Sequence, residues 1–141
     1  MINAINATDV RRDWSSIIDS VIREKPAFIK RTRDELFLSN IDVLLSILDA
    51  YDFTAIKYIE DDGSVTISLD TIDLVENAPT YDEAIMLLSK SILVYANDYY
   101  DDFSYWSRGK RVSHIPYVIK ALILSDPIKI GEQIKCHLGE I

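Results

Sequence analysis

The stretch that decides the fold of the first part of the chain is INATDVRRDWSSIIDSV, residues 5–21. Apolar residues recur through it at spacings of three and four, which predicts an amphipathic helix. They are Val10, Trp14, Ile17, Ile18, Val21 and, just beyond, Ile22. Asn6 is expected to cap this helix and Pro26 to end it. Two adjacent arginines, Arg11 and Arg12, stand near its start.

A hairpin and a second helix are expected next. Residues 27–31 and 35–39 are β-prone runs separated by a short polar turn at 32–34. Asn40 is expected to cap a second helix over residues 41–50. A unit of about 50 residues with short strands buries little apolar surface. We therefore expect it to dimerise or to pack on the remainder of the chain.

The second part begins near residue 52. Two strands and a third short extended segment are expected at residues 54–60, 64–69 and 72–75. A helix is expected from Tyr81 to about Tyr95. A second should be capped by Ser113, with Pro116 in its first turn, and a last one should start at Asp126-Pro127 and end near Gly139. The sequence thus predicts an α+β fold: a small antiparallel sheet with two helices in residues 1–51, then a hairpin or short sheet followed by three or four helices in residues 52–141.

Composition narrows the class of protein. The chain has 141 residues, of which 48% are hydrophobic and 27% charged, as in folded globular proteins. The longest apolar runs, such as residues 115–124, are too short for a bilayer span, and residues 1–10 lack a signal-peptide pattern. We expect a cytoplasmic protein without membrane association. The single cysteine, Cys136, excludes an internal disulfide and a cysteine-based zinc site.

Charge is distributed unevenly along the chain. Residues 1–35 hold seven bases and six acids, a net charge of +1. Because the formal net charge of the whole chain is −8, residues 36–141 carry a net charge of −9. Local fields steer association with charged partners. The two parts are therefore expected to meet different partners.

The order of the first elements resembles the Phd/YefM antitoxin family. The resemblance rests on NATDVRRDWSSIIDSV and KPAFIKRTRDELFLSN, followed by an apolar helix, and covers the first 51 residues. It implies that Arg11, in the Thr-Asp-Val-Arg segment that matches the family's Ser-Glu-Ala-Arg, and Arg31, at the end of the first hairpin strand, contact operator DNA in a homodimer. Neighbouring bases of suitable charge are Arg12, Lys30 and Arg33.

Two departures from the family pattern bear on this assignment. Arg33-Asp34 stands where the family has a glycine at the hairpin turn, and Asp13 adds an acid beside the arginines. An alternative from spacing alone is structural: the stem of Arg11 packs on Trp14 and its head pairs with Asp9 or Asp13.

The remainder of the chain departs from that family, whose tail is disordered and folds on the toxin. Residues 52–141 are rich in Ile, Leu, Tyr and Phe, so we expect them to fold on their own. The stretch DGSVTISLDTIDLVENAPTYDEAIMLL, residues 62–88, resembles the strand–strand–strand–helix order of HicB-type antitoxin domains. A folded second half changes the mode in which a toxin would be bound.

Acids and aromatic residues concentrate in YANDYYDDFSYWSRGKRVSHIPY, residues 95–117. Aromatic residues are common in interface cores, and aspartates complement a basic partner such as a small RelE-like toxin. The candidate partner-binding residues are Asp98, Tyr99, Tyr100, Asp101, Asp102, Tyr105 and Trp106. Alternatively Tyr99, Phe103 and Trp106 fill the core and the acids are merely solvated.

Catalytic, metal and cofactor sites are not expected. His114, His137 and Cys136 lack a third orienting group nearby in sequence, and His137 fits the last turn of a helix. The sequence has no glycine-rich phosphate loop and no nucleophile elbow. The resemblance predicts a non-enzymatic type II antitoxin that neutralises a ribonuclease-type toxin and represses its own operon. The alternative is a protein-interaction or assembly module that has lost DNA binding.

Overall fold

The computed structural model describes residues 3–139. The chain divides into two compact units, Met1–Ile47 and Leu48–Ile141, whereas the sequence placed the division after residue 51. The predicted α+β class is confirmed, with a small sheet and helices in the first unit and a four-stranded sheet with helices in the second.

The N-terminal unit combines a three-stranded sheet with three helices. Its elements are β1 (Ile5–Asn6), α1 (Ala7–Arg12), α2 (Trp14–Arg23), β2 (Ala27–Arg31), β3 (Asp34–Leu38) and α3 (Ile41–Ile47). Strand β2 is central; β1 pairs with it in parallel and β3 antiparallel. Asn40 caps α3 as predicted, because its Oδ1 accepts a 2.8 Å hydrogen bond from the amide of Val43.

The first predicted helix is interrupted. Asp13 lies between α1 and α2 with φ −105° and ψ 30°, outside the helical range. Its carboxylate accepts hydrogen bonds from the side chain of Arg12. The side chain of Asn6 forms no capping hydrogen bond, which differs from the expectation. The apolar spacing therefore predicted one continuous helix, whereas the structure has two helices separated at Asp13.

The C-terminal unit contains a sheet of order β6–β5–β4–β7. Its strands are β4 (Phe53–Ile59), β5 (Val65–Leu69), β6 (Val75–Ala78) and β7 (Ile134–Leu138). Its helices are α4 (Tyr81–Asp101), α5 (Phe103–Trp106), α6 (Ile115–Leu124) and α7 (Pro127–Glu132), with a 3₁₀ helix at Gly109–His114.

One face of this sheet holds the main core. Val65, Ile67 and Leu69 alternate along β5 and are buried with Leu88 and Ile92 of α4. The long helix α4 is capped by Thr80, whose Oγ1 accepts a 3.2 Å hydrogen bond from the amide of Glu83. It extends to Asp101 rather than ending near residue 95 as the sequence suggested.

The prediction of a final helix running to Gly139 is wrong. Helix α7 ends at Glu132, and β7 then pairs in parallel with β4 in a register that sets Ile134 opposite Phe53. His137 therefore lies on a strand, not in the last turn of a helix. Gly139 continues this pairing through a 2.7 Å hydrogen bond from its amide to the carbonyl of Lys57.

The backbone conformation of the β2–β3 turn predicts how a glycine substitution there changes stability. Arg31 pairs with Asp34, which leaves a two-residue turn in which Thr32 has φ +52°. The left-handed region costs about 1–2 kcal/mol for a residue with a Cβ, and glycine loses about 0.5–1 kcal/mol of that gain through unfolded-state entropy. Thr32→Gly is thus expected to stabilise the N-terminal unit by about 0.5–1 kcal/mol in urea unfolding. Arg33→Gly, where φ is not positive, should give no gain; equal effects of both changes would contradict this account.

Candidate nucleic-acid and partner surfaces

An open groove of about 420 Å³ lies on the N-terminal unit. Helix α1, the start of α2 and strands β2 and β3 contribute its lining residues, which are Ala7, Val10, Arg11, Trp14, Ile29, Arg31 and Leu36. Val10 and Ile29 are buried, whereas Trp14 and Leu36 are 53% and 54% exposed. The groove thus combines an apolar floor with two arginines, and we call it the arginine groove.

Strand register brings the two arginines together. The parallel pairs Ile5–Ile29 and Asn6–Lys30 place the segment that enters α1 beside the end of β2. Arg11 follows on α1, and Arg31 closes β2 on the same sheet face as Ile29. Two residues that the resemblance singled out from separate segments therefore line one surface.

Arg12 is held by its neighbours instead. Its Nη2 lies 3.2 Å from Asp9 and 3.1 Å from Asp13. The hydrogen bond to Asp13, followed by the charges of Asp13 and Asp9, raises the pKa of Arg12 above its ordinary value. The alternative to DNA contact was an ion pair between Arg11 and one of these two carboxylates. They bind Arg12, and over residues 3–139 Arg11 and Arg31 form no salt bridge.

The other two candidate bases lie apart from the arginine groove. Lys30 alternates to the opposite sheet face and stands across from Glu35, and Arg33 occupies the tip of the hairpin turn. On Lys30's face, the rings of Phe28 and Phe37 lie 5.2 Å apart between centroids, and both are exposed. Sequence periodicity did not reveal these exposed apolar residues, because a stripe that faces a partner has the same spacing as a core stripe.

The acidic and aromatic segment of the C-terminal unit separates into buried and exposed residues. Tyr99 is 0% exposed, and its hydroxyl donates a 2.6 Å hydrogen bond to the carbonyl of Arg111. The ring of the half-buried Trp106 stacks on that of Tyr99. The guanidinium of Arg111 lies over the Trp106 ring, 4.7 Å from its centroid. Tyr99 and Trp106 thus fix α5 and the 3₁₀ helix on α4. The remaining candidates are exposed: Asp98, Tyr100, Asp101, Asp102 and Tyr105.

A histidine belongs to the same aromatic cluster. A 2.6 Å hydrogen bond joins the hydroxyl of Tyr95 and Nδ1 of His114, and their ring centroids are 5.8 Å apart. Burial lowers the pKa of His114; Asp73 opposes this effect and Arg111 adds to it. The neutral imidazole is therefore the form that suits the folded unit.

Two further properties concern the whole described range. Over residues 3–139, three or more His, Cys, Asp or Glu side chains nowhere come close enough to bind a metal ion. In that same part of the chain, the helices are too short or too polar to cross a membrane.

The chain shows similarity to antitoxins along nearly its whole length. A model of the PHD-like family, described as antitoxin of toxin-antitoxin, RelE / RelB, TA system, matches residues 1–136. A crystal structure at 1.80 Å resolution, described as the antitoxin part of a proposed toxin/antitoxin system of Syntrophomonas wolfei subsp. wolfei, is 32% identical. It covers 98% of this chain and 100% of its own, with a TM-score of 0.92. Proteins of curated function gave no match.

The surroundings of His114 predict that the stability of the folded protein depends on pH. Because the pKa of the folded imidazole lies below the ordinary value of 6.5, the unfolded chain binds more protons just below that pH. The stability that the neutral His114 contributes is fully present above about pH 6.5, and the free energy of unfolding is expected to decrease as the pH falls below that value. His114→Gln should reduce this decrease in thermal unfolding followed by circular dichroism. His137→Gln changes an exposed residue of β7 and is the matched control. The same pH slope in wild type and His114→Gln would contradict the assignment.

Proposed function

Because the chain belongs to the PHD-like family of antitoxins of RelE/RelB toxin-antitoxin systems, we propose that it binds and inhibits a basic, RelE-like ribonuclease toxin and represses its own operon. The match of the family model over residues 1–136 carries this proposal. The protein acts by binding, without catalysis, in the cytoplasm that contains both its operon and its toxin.

The N-terminal unit is proposed to bind operator DNA as a Phd/YefM-like homodimer. Among the described residues of this small unit, seven large apolar side chains are exposed, and Trp14 and Leu36 in the arginine groove are two of them. Covering such side chains with a second copy removes apolar surface from water and repeats Arg11 and Arg31 about a two-fold axis. Paired basic surfaces suit a palindromic operator. Arg33 at the turn and Lys30 on the opposite sheet face are proposed as further contacts with DNA, while Arg12 can bind DNA only after it releases Asp9 and Asp13.

The C-terminal unit is proposed to hold the toxin. Residues 36–141 carry a net charge of −9, which complements a basic protein. Asp98, Asp101 and Asp102 lie exposed around the end of α4, next to the exposed Tyr100 and Tyr105. Tyr99 and Trp106 position this end from within the core. The folded unit replaces the disordered toxin-binding tail of Phd/YefM antitoxins, and its likeness to HicB-type domains is part of this proposal.

Co-expression with the small protein encoded beside this chain tests the proposed function. That protein is expected to arrest growth when produced alone and to be inactive when the antitoxin is present, because the two form a complex. Co-purification on a tagged antitoxin, followed by size-exclusion chromatography, measures the complex. An antitoxin that purifies alone and leaves growth arrested would contradict the proposal.

The arginine groove predicts the salt dependence of operator binding. A mobility-shift titration on DNA upstream of the gene compares wild type with Arg11→Ala/Arg31→Ala. Four arginines are lost per dimer, so the slope of log K against log salt should fall by about 3 to 4. Light scattering is expected to give twice the 16.1 kDa mass of the chain.

Arg23→Ala/Lys25→Ala provides a control with the same change in charge. Both residues are exposed bases of the N-terminal unit outside the arginine groove. Their loss should leave the slope nearly unchanged. Equal slopes for both double variants would show that the groove is not the contact, and a wild type that shifts no DNA at low salt would favour the interaction module without DNA binding.

A further inference from the structure

A second open groove follows one flank of α4. One wall is α4 itself, and the other is β6 with the loop that precedes it; the two halves of the groove, of about 420 and 350 Å³, share Leu87. Its lining residues include Leu74, Glu83, Met86, Leu87, Val94 and Asp98. We call this surface the α4 groove.

Helical spacing gives α4 two apolar stripes. Ala84, Leu88, Ile92 and Ala96 form the buried one, which packs in the core. Leu87 and Val94 belong to a second stripe on the flank, where they are 41% and 60% exposed. A helix at the surface of a domain needs only one apolar stripe for its own core. The second stripe is therefore surplus to the folding of the C-terminal unit and has the character of a binding face.

A polar contact fixes the shape of the α4 groove. The hydroxyl of Ser91 donates a 2.5 Å hydrogen bond to a carboxylate oxygen of Glu76, which joins α4 to β6 along the groove. β6 lies at the end of the strand order of its sheet, so its outer edge borders the groove without a neighbouring strand in the described range. The cleft is thus preformed and does not depend on a loop closing over it.

Acids stand at both ends of the apolar stripe. Glu83 lies at the start and Asp98 at the far end, at helical spacing from Leu87 and Val94. Asp101 continues the stripe one turn further, into the exposed acids at the end of α4. Lys90 is the base that lines this surface. The electrostatic balance favours a partner with apolar side chains flanked by Lys or Arg.

We infer that the α4 groove is the docking site for the toxin, which seats an amphipathic, basic segment along it. Apolar side chains of that segment contact Leu87 and Val94, and its basic side chains meet Glu83, Asp98 and Asp101. This inference rests on the proposed function and locates the toxin along the flank of α4, with the acids at the end of the helix as the rim of the interface.

Paired glutamine substitutions test the groove without changing charge. Leu87→Gln/Val94→Gln is expected to weaken binding of the protein encoded by the adjacent reading frame about 100-fold in isothermal titration calorimetry, because two central apolar contacts are lost. Glutamine is a good helix former, so the circular dichroism melt should stay close to that of wild type. Ile128→Gln/Val112→Gln alters two exposed apolar residues of the same unit outside the groove, and this variant should bind as wild type does.

Charge provides an independent arm. Glu83→Gln/Asp98→Asn should slow association about tenfold at low salt and flatten its salt dependence, since rim charges act mainly on the association rate.

The outcomes separate the two proposals. Wild-type binding that Leu87→Gln/Val94→Gln leaves unchanged overturns the groove inference while the antitoxin function stands. Failure of wild type to bind overturns both. Loss of self-association in the groove variant, with toxin binding retained, identifies a contact between copies of this chain and also overturns the inference.

Discussion

The N-terminal unit is constrained by how little it can bury. Within the described residues its core consists of Val10, Val21, Ala27 and Ile29, against sixteen buried side chains in the core of the C-terminal unit. A core of that size leaves large apolar residues at the surface, because the unit has too few elements to cover them. The proposed dimerisation and the closeness of Arg11 to an apolar floor are two aspects of the same constraint: residues that would complete the core of a dimer also set where the basic side chains emerge.

Charge is distributed differently in the two units. In the N-terminal unit, Asp9 and Asp13 satisfy Arg12 and leave Arg11 outside the ion pairs, so a nearly neutral segment still presents a basic surface. In the C-terminal unit, the aromatic cluster around Tyr99 places aspartates on an ordered helix end. An ordered acidic surface loses less conformational entropy on binding than a disordered tail of equal charge.

Local patterns were readable from the sequence, and nonlocal ones were not. The cap at Asn40 and the start of a helix at Tyr81 depend on neighbouring residues, and the structure confirms both. The sequence predicted a helix where strand β7 lies, because β7 is stabilised by pairing with β4, which is far away in sequence. For the candidate sites, residue type and family resemblance gave Arg11 and Arg31, but only strand register shows that they share a groove. Helical periodicity also cannot tell a core residue from an exposed one. Tyr99 and Leu87 both lie on apolar stripes of α4, yet Tyr99 is buried and Leu87 is exposed.

The parallel pairing of β4 with β7 also bears on how the chain is made. β4 is synthesised early, yet one of its edges is covered only by a strand that leaves the ribosome after all the helices of the unit. Pairings between distant segments form slowly, and an uncovered edge is prone to wrong association. A nascent chain therefore carries a complete N-terminal unit before its acidic unit is closed. The two units thus complete their folds in that order during translation.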